Sequence, residues 1–530
     1  MGNIKRVQKY FLNGILLALA TIFLRGIGVT FNAYITSKIG AEGMGIITLI
    51  GSVYGFSLTV ATSGINLCMV RLISASYKEN YGIPDKNSYT SLGKILRNGI
   101  SYALIFSLTA TVALLISAEN IGTLLLKDYR TIRPLRVLAL TLPLIAISST
   151  LNGYFCGVQR VYKNVIAQIC EQGIKIIAVI SLFLCLADSV EDGCMAVICG
   201  GAIAEVGSTI VYLLLYIFDR KKHGFSEKIS QKRGYVTHLS EKSHNFSEVF
   251  SLAFPVAISA YVRSALSTVE HLIIPFGLRK NGADFKSALA SYGVLHGMVI
   301  PLLYFPSAIL SAFSSLLVPE LSSSQAEGHR KRIKYIVGRV ISVTLLFSLL
   351  VAGIFMAFSH EIGILMYKSA EASRYIRLLA PLIPLMYLDM ATDTMLKGLG
   401  EQIYSMRVNI ADSLISIILL LTLLPTLGIE GYVSAIFITE LFNTSASLIR
   451  LLNITGLCPS VSRWVIKPLA VIIISTFIIR HIFSPTVTVS YLRLSWEIIL
   501  TAAVYLVFSV LTGAISRADI RWARSIIKKE

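Results

Sequence analysis

Apolar windows of about 20 residues, each long enough to cross the hydrocarbon core of a bilayer, follow one another almost without interruption along this chain. They lie near 10–34, 45–70, 95–116, 135–157, 164–187, 194–218, 249–276, 288–318, 335–358, 378–399, 403–424, 431–455, 464–483 and 494–515. Windows on this scale leave only short loops in 530 residues, so no extramembrane domain of ordinary size fits between them. Only 15% of the residues are charged and 55% are hydrophobic, whereas a soluble domain needs about 25% charged residues to face water. The sequence predicts an all-α polytopic membrane protein with about 14 transmembrane helices.

The charge balance, 48 Lys plus Arg against 29 Asp plus Glu, would suggest nucleic acid in a soluble chain. In a membrane protein the same excess marks cytoplasmic loops beside anionic lipid, so anionic membrane lipids are expected partners and nucleic acid is not. The loop 187–194, with Asp188, Glu191 and Asp192, belongs outside. The loop 219–248, with Arg220, Lys221, Lys222, Lys228, Lys232, Arg233 and Lys242, belongs inside, which places both termini in the cytoplasm. The basic stretch Met1–Lys9 precedes an apolar run that is too long for a signal-peptide core and holds Arg25, so it reads as a retained first span. The seven cysteines sit mostly within or at the ends of apolar runs, with no CxxC and partner His, and read as small hydrophobes without a disulfide or metal role.

The basic linker divides two similar halves. Pro143, Gly157, Gln168 and Glu171 recur as Pro384, Gly398, Asn409 and Asp412, about 241 positions later, and Arg25 and Gly193 recur as Arg263 and Gly431, about 238 positions later. An almost constant offset across separate helices points to duplication. Six spans per repeat is an even number, so the repeats run parallel, as in some secondary transporters whose substrate site lies between the halves. The expected domains are an N-lobe at 1–218, the linker at 219–248, a C-lobe at 249–455, and an accessory helix pair with a basic tail at 456–530.

Ionisable groups inside a span cost about 2.5–3.5 kcal/mol on insertion scales, so they usually face a cavity or a partner. Arg25 and its repeat mate Arg263 lie well inside the first and seventh spans. Brought together, two guanidiniums would make a forked site for phosphate oxygens; alternatively each pairs with an intramembrane carboxylate or snorkels. Glu270, two turns beyond Arg263 on the same face, with His271 beside it, is a candidate for proton or cation exchange or for neutralising an arginine. Gln168, Glu171, Gln172 and Lys175 form a polar stripe on the fifth span that implies a wet cavity, and Glu171 to Lys175 has the favourable i,i+4 orientation for an ion pair. Asp389 and Asp393, four apart, and Glu205 and Glu440 are either coupling-ion ligands or interhelical hydrogen-bond partners. Arg71, Lys94, Arg97 and Arg339 read as orientation anchors.

Gly26, Gly28, Pro255 and Pro306 are hinge candidates, since proline frees a backbone carbonyl and glycine permits close packing. No phosphate loop, HExxH or nucleophile elbow in a strand context occurs, so no enzyme, metal site or resident cofactor is expected. Transport would draw on an ion gradient, the membrane potential or substrate consumption, and the coupling cation, proton or sodium, is not identified by the sequence.

The string Phe23-Leu24-Arg25-Gly26-Ile27-Gly28, then Gly40 to Gly45, then Ser63-Gly64-Ile65 leading into Val70-Arg71-Leu72-Ile73-Ser74 resembles the stage V sporulation protein B group of the multidrug/oligosaccharidyl-lipid/polysaccharide exporter superfamily. Ala253-Phe254-Pro255, Ile274-Pro275, Tyr292-Gly293, Gly297-Met298, Pro301-Leu302, Phe305-Pro306 and Leu317-Val318-Pro319-Glu320-Leu321-Ser322 are similar to its second half. Glu270 departs from the aspartate of many relatives. The resemblance implies a flippase that moves an undecaprenyl-diphosphate-linked saccharide, a peptidoglycan, spore-cortex or surface-polysaccharide precursor, across the bacterial plasma membrane by alternating access. It also implies that Arg25 meets the diphosphate, with cell-wall or polysaccharide synthases as possible partners. Rival readings are a cation-coupled drug exporter on the same fold, a non-transporting scaffold for cell-wall synthases, and an intramembrane glycosyltransferase, which the missing motifs disfavour.

Overall fold

The computed structural model describes residues 2–79, 86–186, 189–224, 246–483 and 490–515, and these are helical almost throughout, with no strand among them. Most of the linker, at 225–245, Asp188 of the acidic loop and the tail 516–530 lie outside the described residues. The helices are α1 Gly2–Thr62, α2 Ile65–Glu79, α3 Lys86–Asn120, α4 Ile132–Gly157, α5 Tyr162–Leu186, α6 Val190–Gly224, α7 Phe246–Lys280, α8 Phe285–Tyr292, α9 Ile300–Tyr304, α10 Ser307–Ala326, α11 Arg330–Ala357, α12 Ser359–Tyr367, α13 Ala370–Leu379, α14 Ile383–Gly398, α15 Gln402–Leu427, α16 Ile429–Thr455, α17 Lys467–Ile482 and α18 Tyr491–Leu511.

Many of these helices are apolar on both their packed and their open faces. On α5, Val179 is fully buried while Ile166, Ile169, Ile177 and Leu184 are exposed, a pattern that suits a helix with lipid as its other neighbour. Eleven stretches among the described residues are long and apolar enough to cross a membrane, so the expected count of 14 is not reproduced by that measure. The first two windows join into one stretch, Ala20–Ser76, because α1 continues through a kink at Gly40, where φ is 69°. The window 378–399 is divided between α13, a short 3-10 turn and α14, at Pro381 and Pro384, which interrupt the backbone ladder.

The chain packs as two units, one of Met1–Ala20 and Lys38–Ile273, the other of Thr21–Ser37 and Ile274–Glu530. These units cut the chain at other points than the sequence repeat does. The second half of the first span groups with the later residues, and most of α7 groups with the earlier ones.

In the earlier unit the core lies between α2, α3, α4 and α6. Met69, Leu72, Ile95, Tyr102, Tyr154 and Phe155 are buried together, and glycine lets the backbones approach: a Cβ on Gly153 would stand 2.7 Å from the Asn66 carbonyl oxygen. At one end of this unit Asp219 takes both Arg160 and Lys163, and Lys163 also covers the Phe155 ring at 4.9 Å. In the later unit Leu321, Val337, Ile341, Leu388, Leu396 and Leu451 form the core of α10, α11, α14 and α16. The final pair joins the same unit through α11: Val471, Ile472 and Tyr505 pack on it, and the Tyr505 hydroxyl donates to the Leu346 carbonyl at 2.9 Å.

The two halves repeat one another in backbone detail. Lys127 and Lys368 are both left-handed, at φ 53° and 52°, as are Gln159 and Gly400, at 60° and 79°. Asp128 and Ser369 each cap the turn that follows with their side chains. Arg160 N–H to Phe155 carbonyl, 2.8 Å, is matched by Glu401 N–H to Leu396 carbonyl, 2.9 Å, the six-to-one bond of a Schellman helix end.

Candidate functional site

Two helix breaks organise the polar residues. Within one apolar stretch the helix stops at Thr62 and restarts at Ile65, with Ser63 and Gly64 in left-handed conformation between them. Helix α9 ends at Tyr304, and α10 restarts at Ser307 after Phe305 and Pro306. The two breaks are about 242 positions apart, so they occupy corresponding places in the repeat. Discontinuous helices at matched positions are a mark of substrate sites in duplicated transporters, because broken backbone is tolerated at membrane depth only where protein or a water-filled cavity satisfies it.

In the later unit, the break in α9–α10 carries Arg25. The guanidinium Nη1 donates to the Ser307 hydroxyl at 3.4 Å, and that hydroxyl donates to the Tyr304 carbonyl at 2.7 Å. Gly26 faces the Phe305 ring, where a Cβ would lie 3.5 Å from the ring edge. Two turns on, Asn32 Nδ2 donates to the Gly297 carbonyl at 2.5 Å. That carbonyl lies in a π-helical turn, Gly293–Val299, and Pro301, four residues later, has no N–H to offer it. The Tyr367 hydroxyl donates to the next carbonyl, Met298, at 3.0 Å.

In the earlier unit, α7 lies along the segment that precedes the other break. The hydroxyls of Tyr261 and Ser63 are hydrogen-bonded, Tyr102 donates to the Ser63 carbonyl at 3.2 Å, Thr59 bonds Ser264 at 3.1 Å and Thr268 donates to the Ser52 carbonyl at 3.0 Å. Arg263 stands within this ladder. The correspondence with the first span is close: Thr30 back-bonds to the Gly26 carbonyl at 3.0 Å and Thr268 to the Ser264 carbonyl at 2.9 Å, each pair about 238 positions apart.

Arg25 and Arg263 are both exposed. Ser307 is the only hydrogen-bond partner of Arg25 among the described residues, and neither arginine forms an ion pair with a described carboxylate.

The other expected residues separate into distinct surroundings. Glu171 accepts from Ser208 on α6 at 2.9 Å and makes no ion pair with Lys175, so the i,i+4 pair that the sequence allows does not form; Gln168 and Lys175 are half-buried on the same helix. Asp393 is held by Lys397 at 2.5 Å and by the Ser405 hydroxyl, an arrangement that suits a structural tie. Asp389 on α14 and Asp412 on α15 each lie in electrostatic range of Glu440 on α16. Glu270 and His271 are half-buried and have interactions of their own. The helix runs unbroken through Gly26, Gly28 and Pro255, whereas Pro306 stands at a break. Among the described residues no group of three His, Cys, Asp or Glu side chains could hold a metal ion.

Sequence reasoning missed Asn32, Ser63, Tyr261 and Ser307. Asn32 could have been found, as a polar residue inside a span at the offset that also relates Arg25 to Arg263. The partners of the others depend on which helices meet.

The chain matches the family model described as polysaccharide biosynthesis protein over residues 11–325 and the MatE model over 285–422. It is 24% identical to stage V sporulation protein B of Bacillus subtilis (strain 168), over 97% of this chain and 98% of that protein. It is 26% identical to the lipid II flippase MurJ of the same organism, over 63% and 62% of the two chains. Its fold is similar to a solved structure described as lipid II flippase MurJ in an inward closed conformation, with a TM-score of 0.68, 16% identity, and coverage of 94% of this chain and 98% of that one.

Proposed function

The chain belongs to the polysaccharide biosynthesis protein family, and from that membership we propose that it is a flippase. Its cargo is a saccharide linked through a diphosphate to an undecaprenyl lipid, carried between leaflets by alternating access, with no covalent bond made or broken. One observation carries the reading. Of two repeat-related arginines, Arg25 lies inside the candidate span Ala20–Ser76 and Arg263 on α7, which the sequence reads as the seventh span; both are exposed and without a described carboxylate partner, which is costly within a bilayer unless an anionic ligand and water meet them. A diphosphate presents the oxygens that guanidinium forks bind best.

The name of one relative, a lipid II flippase, supports this cargo class. The drug-exporter reading is weaker, because the MatE match covers only 285–422 and unpaired cations suit an anionic cargo. Arg25 and Arg263 are the diphosphate-binding residues in this reading. Asp389 and Asp412, with their neighbour Glu440, and the pair Glu270 and His271 are the coupling-cation candidates; Gln168 and Lys175 line a wet stripe. The membrane is a bacterial plasma membrane with both chain termini cytoplasmic, the basic loops meet anionic lipid, and synthases that use the sugar are partners. The two repeats act as lobes, with the final helix pair as an accessory.

The test is leaflet-resolved movement of a labelled lipid-diphosphate sugar in vesicles holding the purified protein. Wild type should exceed empty vesicles, and Arg25→Ala and Arg263→Ala should each lower the rate at least about tenfold. Equal movement in empty vesicles overturns the flippase reading; undiminished rates in both variants overturn the site.

A further inference from the structure

We infer that Ser307 is a positioning residue, which sets the guanidinium of Arg25 for the diphosphate; this rests on the reading of Arg25 just given. Ser307 is the first residue of α10 after the Phe305-Pro306 break, and it is fully buried. Its hydroxyl proton is committed to the Tyr304 carbonyl at 2.7 Å, so the oxygen lone pairs are left to accept from Arg25 Nη1, 3.4 Å away. Hydroxyl, carbonyl and guanidinium form a chain in which the backbone of the break fixes the serine rotamer and the serine fixes one edge of the arginine.

That edge would otherwise be unconstrained. Arg25 is long, exposed and has no other hydrogen-bond partner among the described residues, so holding it restricts side-chain freedom before the ligand arrives. Only one of the five N–H donors of the guanidinium is used, which leaves the rest of the fork for phosphate oxygens. The first span is itself held against this region two turns further on, where Asn32 donates to the Gly297 carbonyl at 2.5 Å. The helix that carries Arg25 is therefore tied to this region through the Asn32 side chain, and the Arg25 head group through Ser307.

The test measures binding of the lipid-diphosphate sugar to the purified full-length protein by native mass spectrometry, in wild type, Ser307→Ala, Arg25→Gln and the double variant. Ser307→Ala should weaken binding about three- to tenfold, Ser307→Thr should restore it, and thermal unfolding of both should stay close to wild type. Because the serine acts through the arginine, the double variant should bind no more weakly than Arg25→Gln alone. In vesicles, Ser307→Ala should raise the apparent KM while the saturated rate changes less than about twofold.

Unchanged affinity in Ser307→Ala, or losses that multiply in the double variant, overturns the inference. If Ser307→Ala folds poorly, Ser307→Cys replaces the oxygen by a weak acceptor at similar size and carries the same expectation. Unchanged affinity in Arg25→Gln overturns the prior reading of Arg25, whereas a loss in Arg25→Gln without one in Ser307→Ala removes only the positioning role.

Discussion

Lys127 and Lys368, 241 positions apart, turn the chain with the same left-handed backbone, φ 53° and 52°. Each follows a helical turn, and the residue after each, Asp128 or Ser369, caps the next. A Cβ makes the left-handed region unfavourable by roughly 1–2 kcal/mol, so the duplication has preserved a strained corner on a residue that does not favour it. Lys368 is exposed at the end of α12. Lys368→Gly should stabilise the protein by about 1 kcal/mol, and Lys368→Val should destabilise it by at least as much. Thermal unfolding of the purified protein in detergent decides; a loss of stability in the glycine variant would show that the lysine side chain matters more than the corner.

Gly157 and Gly398 occupy the same repeat position but differ in what surrounds them. A Cβ at Gly157 would lie 2.6 Å from the Cβ and Cγ2 of Ile73, while at Gly398 its nearest neighbours are 3.6 Å away. Gly157→Ala should therefore cost about 1–3 kcal/mol through overpacking. Gly398→Ala should be neutral or stabilise by up to about 1 kcal/mol through helix propensity. The same unfolding measurement applied to both variants separates packing from inheritance, and equal losses would contradict the contacts.

Much of this was legible in the sequence, and the division follows from physics. Spans are local: hydropathy over a window reports them whatever they pack against, so the helices containing Arg25 and Arg263 were found, as was the repeat offset. Packing partners are not local. Nothing in the string around Asn32 names Gly297 as its acceptor, because that carbonyl becomes available only through Pro301 on another helix. The grouping of Thr21–Ser37 with Ile274–Glu530 is likewise a property of the folded arrangement. The Ser63-Gly64 break was hidden by an apolar window that continues across it, whereas Pro306 gave its break away. Hydropathy also counted two spans where α1 has a kink at Gly40 and a continuous apolar stretch beyond it.

Asn32 and Pro301 should be coupled although they lie on different helices. Pro301 withholds an N–H from the Gly297 carbonyl, and Asn32 supplies the replacement at 2.5 Å. Asn32→Ala should cost about 1–3 kcal/mol by leaving a carbonyl unsatisfied. Pro301→Ala restores a backbone donor within reach of that carbonyl, so in the Pro301→Ala background the cost of Asn32→Ala should fall by at least half. A double-mutant cycle on unfolding free energies measures this; strict additivity would show that the carbonyl does not depend on Asn32.

Glu361 gives the clearest expectation for pH. It lies in the first turn of α12, outside the candidate spans, and Arg480 at the end of α17 donates to it at 2.6 and 3.0 Å. Arg480 also donates to the Ala357 carbonyl and lies 4.8 Å from the centre of the buried Phe358 ring. Burial by itself pushes the Glu361 carboxyl upward, but the Arg480 hydrogen bonds, the residue's own N–H and the charges of Arg480 and His360 together hold it below its ordinary value of 4.5. A depressed carboxylate contributes its full stabilisation above the unfolded pKa and loses it as pH falls through the folded one. The contribution should therefore be constant above about pH 5 and decline on acidification below 4.5. Glu361→Gln should remove about 1.5–3 kcal/mol at neutral pH, with a difference from wild type that narrows as the pH falls below 4.5. Chemical unfolding of wild type and variant across that range is the measurement, and a difference that stays constant or widens toward acid would mean that the Arg480 contact does not stabilise the carboxylate.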